Sequence, residues 1–162
     1  MKRNFSRTTL TMVLSTLVYV GLAPAARAQD EGSCSYASVA GKWGFSLTGT
    51  LLLSTGAVPG GAVGTLTVDA AGNISGMEAR SIGGSFANET ITGKWTVNSD
   101  CTGTASFQVY ESGVLVRKTA FSFVFVDNST GFFAVEQSLK TPDGTVVPAV
   151  ITANAKKLFS ER

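Results

Sequence analysis

The chain has 162 residues, of which 13 are Lys or Arg, 11 are Asp or Glu and none is His, so its formal net charge is +2. Without histidine it lacks the commonest general base and the commonest metal ligand, which excludes Ser-His-Asp and Cys-His nucleophile schemes. Its two cysteines are too few for a thiolate metal site. We therefore expect no catalytic residue, no metal and no cofactor, and a role other than that of an enzyme.

Residues 1–28 are predicted to be a secretory signal peptide. A basic start precedes an apolar stretch over about residues 10–22, and Ala26–Ala28 supplies the small residues that signal peptidase requires. Removal of this segment leaves nine basic and eleven acidic residues in 29–162. The positive charge of the chain therefore belongs to the leader and gives no support to nucleic-acid binding. We expect an exported, periplasmic or extracellular protein whose mature part has no membrane span.

The mature part, residues 29–162, is predicted to be one all-β domain, because it is rich in Gly, Thr, Ser, Val and Phe. Apolar residues alternate with polar ones in eight runs, and turn residues separate the runs. In chain order, the predicted strands are Gly41–Leu53, Ala62–Asp69, Asn73–Ile82, Thr90–Val97, Thr104–Tyr110, Val114–Val126, Phe132–Lys140 and Thr145–Lys157. The Gly- and Pro-containing segment Ser54–Gly61 is predicted to be a loop.

Eight strands linked by short turns favour a single antiparallel up-and-down β-barrel, because closure removes the exposed edges of a sheet. A two-sheet β-sandwich fits the same strands and stays open as the alternative. An outer-membrane barrel also has strands of this length, but these runs lack two aromatic girdles.

The two cysteines, Cys34 and Cys101, are predicted to form a disulfide, because paired cysteines in an exported protein usually do so. The closed loop would span 67 residues. For a loop of that length the chain-entropy model gives a stabilisation of about 4 kcal/mol.

Aromatic side chains are the first candidates for a ligand-binding site. Six of them share one face of their strands by period-2 alternation. They are Trp43, Phe45, Trp95, Phe121, Phe123 and Phe125. Around a closed barrel they would form either a solid core or an apolar pocket for a small ligand.

Three charged residues are the second candidates. Glu78 and Arg80 share a face with Ile74, and Glu136 shares one with Phe132. If these faces point inward, the charges lie among apolar side chains and would orient a ligand or act as acid and base. If the faces point outward, they are ordinary solvated charges.

The segment Gly41-Lys42-Trp43 at the start of the first strand resembles the G-x-W signature of lipocalins and of the wider calycin group. This resemblance implies a calycin-like barrel in which Trp43 closes one end. The sequences of Cys34–Phe45, Asp69–Asn73 and Asp100–Thr104 resemble those of uncharacterised exported bacterial β-barrel proteins. That second resemblance implies a fold and a compartment but no activity.

Three functions remain open at this point. The first is the binding of a small apolar ligand inside the barrel. The second is a structural or surface-interaction module with a solid core. The third is a small barrel enzyme of the isomerase or cyclase type that uses Glu78 or Glu136. Whether the barrel is filled or hollow separates the first two, and the sequence does not predict an oligomeric state.

Overall fold

The computed structural model describes residues 34–158. The signal-peptide prediction for residues 1–28, and with it the domain boundary at residue 29, lies outside the described residues and stays a prediction. One short helix precedes eight strands, which are α1 (Tyr36–Val39), β1 (Gly41–Leu53), β2 (Gly56–Val68), β3 (Asn73–Ile82), β4 (Ser85–Val97), β5 (Thr102–Glu111), β6 (Val114–Val126), β7 (Gly131–Lys140) and β8 (Ala149–Lys157).

The strands form a closed barrel. Each strand pairs antiparallel with the next, and β8 returns to pair with β1, for example where Phe45 lies opposite Ala155. The predicted up-and-down barrel is therefore confirmed, and the two-sheet sandwich is wrong. Closure satisfies the backbone hydrogen bonds of both strands that would otherwise have been edges.

Several predicted strand boundaries are wrong. The segment predicted as a loop belongs mostly to β2, which begins at Gly56 after a two-residue hairpin. Its Pro59 lies opposite Thr50 of β1, and the Pro59 carbonyl accepts a hydrogen bond from the backbone N–H of Gly83. Pairing with β1 therefore holds this Gly- and Pro-containing segment extended. Strand β4 also begins earlier than predicted, at Ser85, and β8 begins later, at Ala149.

One end of the barrel, which we call the closed end, is covered by α1. The side chain of Ser35 caps this helix by accepting a hydrogen bond from the backbone N–H of Ser38. The predicted disulfide between Cys34 and Cys101 is confirmed, with the two Cα atoms 4.9 Å apart. It ties the segment before α1 to the turn between β4 and β5. The opposite end, with the hairpins β1–β2, β3–β4 and β5–β6, is the mouth.

A glycine at the closed end is required by its backbone conformation. Gly72 has a φ of +77°, and its carbonyl accepts a hydrogen bond from the backbone N–H of Trp95. A Cβ atom there would lie 2.5 Å from the ring of Tyr36. The turn between β2 and β3 therefore packs directly under α1 only because residue 72 has no side chain.

Candidate functional site

The half of the barrel interior next to the closed end is a solid aromatic cluster, which we call the floor. It consists of Trp43, Trp95, Phe123, Phe125 and Phe132, all of them buried. Neighbouring ring centroids lie between 5.0 and 6.0 Å apart at tilted or edge-to-face angles. These are the preferred arrangements of aromatic pairs. Trp43 is wholly buried here, beneath α1, at the end of the barrel where the lipocalin resemblance places it.

Above the floor the barrel is hollow. A cavity of about 100 Å³, which we call the inner cavity, lies between the floor and the mouth. Its apolar lining includes Phe45, Leu47, Leu66, Ile91, Trp95, Ala105, Phe121, Phe123, Phe132 and Ala153. Its polar lining includes Glu78, Arg80, Arg117, Thr119 and Glu136. A wider space of about 320 Å³ at the mouth shares Arg80 and Arg117 with it, so the two spaces adjoin at these side chains.

A glycine opposite Phe45 lets this aromatic ring line the inner cavity. Gly64 of β2 pairs with Phe45 of β1. A Cβ atom on Gly64 would lie 2.7 Å from the Phe45 ring and 2.2 Å from the carbonyl oxygen of Met77. The missing side chain therefore leaves the space that the Phe45 ring occupies.

Four charged side chains form a layer between the inner cavity and the mouth, which we call the charged layer; they are Glu78, Arg80, Glu89 and Arg117. Glu78 and Glu89 lie opposite one another on β3 and β4 and are 4% and 2% exposed. Arg117 of β6 donates a short hydrogen bond to Glu78 Oε1, and its Nη1 lies 2.7 Å from Glu89 Oε2. Arg80 Nε donates to Glu89 Oε1 at 2.7 Å, and Arg80 Nη2 reaches Glu111 at 3.3 Å.

The two buried acids of the charged layer differ in pKa. Burial raises the pKa of Glu78 from 4.5 to about 7; the charge of Arg117 opposes this rise, and the neighbouring Glu89 adds to it. Burial also acts to raise the pKa of Glu89, but the hydrogen bond from Arg80 and the charge of Arg117 outweigh it and hold that pKa below its usual range. Near neutral pH, Glu78 is therefore close to the midpoint of its titration, whereas Glu89 is ionised.

Glu136 of β7 stands outside this network. Its Oε1 lies in a short hydrogen bond with Thr119 Oγ1, which is also 3.1 Å from the carbonyl oxygen of Ser138. Within residues 34–158, the other oxygen, Oε2, is buried and has no hydrogen-bond partner. Burial raises the pKa of Glu136, although the Thr119 hydroxyl and the charge of Arg117 oppose the rise. The Thr119 hydroxyl is the donor in both contacts, so its one proton is shared between Glu136 Oε1 and the carbonyl oxygen of Ser138.

A second unpartnered group lies in the floor. The indole Nε1–H of Trp95, a residue only 1% exposed, has no acceptor among the described residues. The corresponding group of Trp43 donates to the carbonyl oxygen of Val39 at 3.0 Å. Burying a donor without an acceptor costs about 1–3 kcal/mol, so a molecule that supplies the acceptor would recover this free energy.

The structure brings most of the sequence-predicted site residues to one cavity. Phe45, Trp95, Phe121 and Phe123 line it together with Glu78, Arg80 and Glu136, so the three charges face inward and not into solvent. Trp43 and Phe125 lie deeper, in the floor. Whether these residues bind a ligand, and whether Glu78 or Glu136 acts in catalysis, stays a prediction.

Sequence reasoning missed Glu89 and Arg117. Glu89 fell outside the predicted fourth strand, although it is three alternations before Trp95 on the same face. Arg117 shares its face with Phe121 by the same period of two. The same sequence feature could have identified both residues: each is a charged residue on the face of a strand that also carries buried aromatic residues.

No group of three or more Cys, Asp or Glu side chains within residues 34–158 is arranged to hold a metal ion. In the same part of the chain, no helix is long and apolar enough to cross a membrane.

Solved structures similar to this chain are β-barrels. EF1p2_mFAP2b bound to DFHBI has a TM-score of 0.55 and 14% identity over 78% of this chain and 99% of that one. The redesigned β-barrel mFAP1 bound to DFHBI has a TM-score of 0.49 and 19% identity over 77% and 100%. The S-type phycobiliprotein lyase CPES from Guillardia theta has a TM-score of 0.43 and 10% identity over 78% and 92%.

At these identities the likeness to EF1p2_mFAP2b shows the fold and nothing further. The chain is a closed, eight-stranded, calycin-like β-barrel. Neither a family model nor a curated protein matches its sequence.

Proposed function

We propose that this protein binds a small, largely apolar molecule in the inner cavity, between the aromatic floor and the charged layer. The observation that carries the proposal is the hollow upper half of an otherwise solid barrel. Small-molecule sites are concave and mostly apolar, with a few polar groups that fix the orientation of the ligand. The inner cavity has aromatic and aliphatic walls and polar groups at Trp95, Glu136 and the charged layer.

The size of the inner cavity limits the ligand. A cavity of about 150 Å³ lined by apolar side chains takes up benzene in another protein. The inner cavity, at about 100 Å³, is smaller than that, so a single ring with a short substituent has to extend into the adjoining space at the mouth. A barrel of the same fold, EF1p2_mFAP2b, is bound to DFHBI, so the architecture is compatible with a bound ligand.

We further propose that the protein acts outside the cytoplasm, in the periplasm or the extracellular medium. The disulfide between Cys34 and Cys101 supports this location, because disulfides persist in oxidising compartments. Mass spectrometry of the mature protein from its own host tests this location. We expect an N-terminus at residue 29 and a mass lower than that of the dithiol form by two hydrogen atoms.

Two tryptophans make a direct binding test available. The neutral aromatic alcohol tyrosol is titrated into ¹⁵N-labelled protein, and the two indole N–H resonances are followed by NMR. We expect a saturable shift of the Trp95 indole, which lines the inner cavity, and a smaller shift of the Trp43 indole, which is bonded to Val39. Assignment follows from a Trp95→Phe variant.

A pair of variants on β8 locates the site. Ala153 lines the inner cavity, so Ala153→Leu fills part of it and is expected to weaken tyrosol binding at least tenfold. The neighbouring Thr152 is exposed on the outer face, so Thr152→Leu adds an apolar side chain of the same size without changing the cavity. Equal affinities of the two variants, or the absence of saturable binding to the unchanged protein, would contradict the proposed function.

A further inference from the structure

Two residues that line the inner cavity each carry a buried polar atom with no hydrogen-bond partner in the part of the chain that the structure describes. Trp95 Nε1–H needs an acceptor, and Glu136 Oε2 is an open carboxyl oxygen. Both residues lie in one cross-strand row, since Trp95 pairs with Ala105, Ala105 with Phe121 and Phe121 with Glu136. Three strand spacings of about 4.8 Å each separate them around the wall. In an eight-stranded barrel this places them on nearly opposite walls.

The charges around the inner cavity do not balance. The guanidinium groups of Arg80 and Arg117 are already shared among three carboxylates, Glu78, Glu89 and Glu111. Glu136 is a fourth carboxyl group in the barrel interior, and the Thr119 hydroxyl is its only hydrogen-bond partner among the described residues. An entering anion would have to displace a carboxylate from an arginine, whereas an entering cation would find Glu136 unpaired. Lys140 also reaches the mouth, but it is exposed to solvent.

We propose that the ligand is an aromatic amine with a hydrogen-bond acceptor at the far end of its ring. The ammonium group pairs with Glu136 Oε2, the ring packs between Phe45 and Phe121, and the acceptor takes the proton of Trp95 Nε1. Hydrogen bonds between charged partners in a site shielded from water are the strong ones, so the ammonium contact supplies the selectivity.

The raised pKa of Glu136 fits this assignment. Burial raises the pKa of Glu136, and an ammonium group beside Oε2 lowers it again, because the added positive charge favours the carboxylate. This inference rests on the proposed function, because it names the ligand of the same cavity.

An isosteric ligand series tests the charge preference without any variant. Tyramine, tyrosol and 4-hydroxyphenylacetate share a phenol and a short side chain and differ in carrying a cation, a neutral hydroxyl or an anion. We expect tyramine to bind at least tenfold more tightly than tyrosol and at least 100-fold more tightly than 4-hydroxyphenylacetate. Phenethylamine, which lacks the phenol oxygen, should bind about threefold to tenfold more weakly than tyramine and shift the Trp95 indole resonance less.

Matched variants test the residues. Glu136→Gln should weaken tyramine binding at least tenfold and change tyrosol binding less than twofold. Asp143→Asn removes the same charge from an exposed loop at the mouth end and should leave both affinities unchanged. Trp95→Phe keeps the ring and should make tyramine and phenethylamine bind alike. Thermal unfolding of each variant verifies that it is folded.

The outcomes separate the two proposals. If 4-hydroxyphenylacetate binds as tightly as tyramine, or if Glu136→Gln leaves tyramine binding unchanged, the aromatic-amine assignment is wrong, while tyrosol binding in the cavity still supports the proposed function. If none of the three phenols binds, the proposed function itself fails.

Discussion

The closed end of the barrel and the surroundings of the inner cavity differ in how far their polar groups are hydrogen-bonded. At the closed end the Trp43 indole is bonded to Val39, α1 is capped by Ser35, and a disulfide joins Cys34 to the β4–β5 turn. Around the inner cavity, the indole donor of Trp95 in the floor and a carboxyl oxygen of Glu136 in the wall have no hydrogen-bond partner among residues 34–158. The closed end is therefore built for stability, whereas the surroundings of the inner cavity retain unsatisfied groups that a ligand can satisfy.

The largest expected effect is at the centre of the floor. Trp43→Ala removes a wholly buried side chain that packs on Trp95, Phe125 and Phe132 and donates to Val39. Large aromatic-to-alanine changes in cores cost about 3–5 kcal/mol. We expect a loss of about 5 kcal/mol in the free energy of unfolding, measured by urea denaturation.

Met77→Ala is the control for this change, because Met77 is 63% exposed on the outer face. It should change the free energy of unfolding by less than about 0.5 kcal/mol. Similar losses in the two variants would show that the floor does not carry the stability of the closed end.

Breaking the disulfide is expected to have the next largest effect. The bond closes a chain segment of 67 residues. In the chain-entropy model, its removal costs about 4 kcal/mol. Cys34→Ser combined with Cys101→Ser should lower the midpoint of unfolding accordingly, and tyrosol affinity at temperatures where the protein stays folded should not change. A loss of affinity in the folded double variant would show that the two halves of the barrel are coupled.

The charged layer should make stability depend on pH. The pKa of Glu78 is about 7 in the folded protein, against an ordinary value of 4.5. The folded state therefore holds a proton between these two pH values that the unfolded chain has lost. The stabilisation is fully present below about pH 4.5 and is lost as the pH rises through 7, by up to about 3 kcal/mol. Glu136, whose pKa is also raised, acts in the same direction.

The variant Glu78→Gln cannot ionise and should lose most of this slope. Urea denaturation at about pH 5 and about pH 8 should show the unchanged protein losing more stability than the variant. Asp143→Asn serves as the control, because hydrogen bonds from Thr141 and Thr145 keep the pKa of Asp143 low and outside this range. Parallel pH profiles for Glu78→Gln and the unchanged protein would contradict the assignment.

Much of the fold could be predicted from local patterns, because strand β1, strand β3 and strand β6 each contain a stretch of alternating residues and end at clear turn residues. Strand β2 was harder to predict, because Pro59 and the glycines that follow it favour a loop by themselves. Pairing with β1 on one side and β3 on the other holds them extended. Such pairing is a long-range effect that propensity does not contain.

The candidate site was less predictable than the fold. Glu136 and Leu139 of β7 both point inward although they are three residues apart, which a regular strand does not allow. A bulge at Gln137 adds one residue to the strand and shifts the alternation. Alternation also could not show that the floor fills its space while the region above it does not. That outcome depends on the summed volumes of side chains from all eight strands.

The pairing of β8 with β1 also brings two distant parts of the chain together. The backbone N–H of Leu158 donates to the carbonyl oxygen of Lys42 at 2.7 Å. A short peptide linker could join the polypeptide near this point, and new termini could then be opened in the exposed hairpin at Ser112-Gly113. Such a circular permutant would keep every strand neighbour while placing its free ends at the mouth. A reporter domain fused there would sit beside the entrance to the inner cavity.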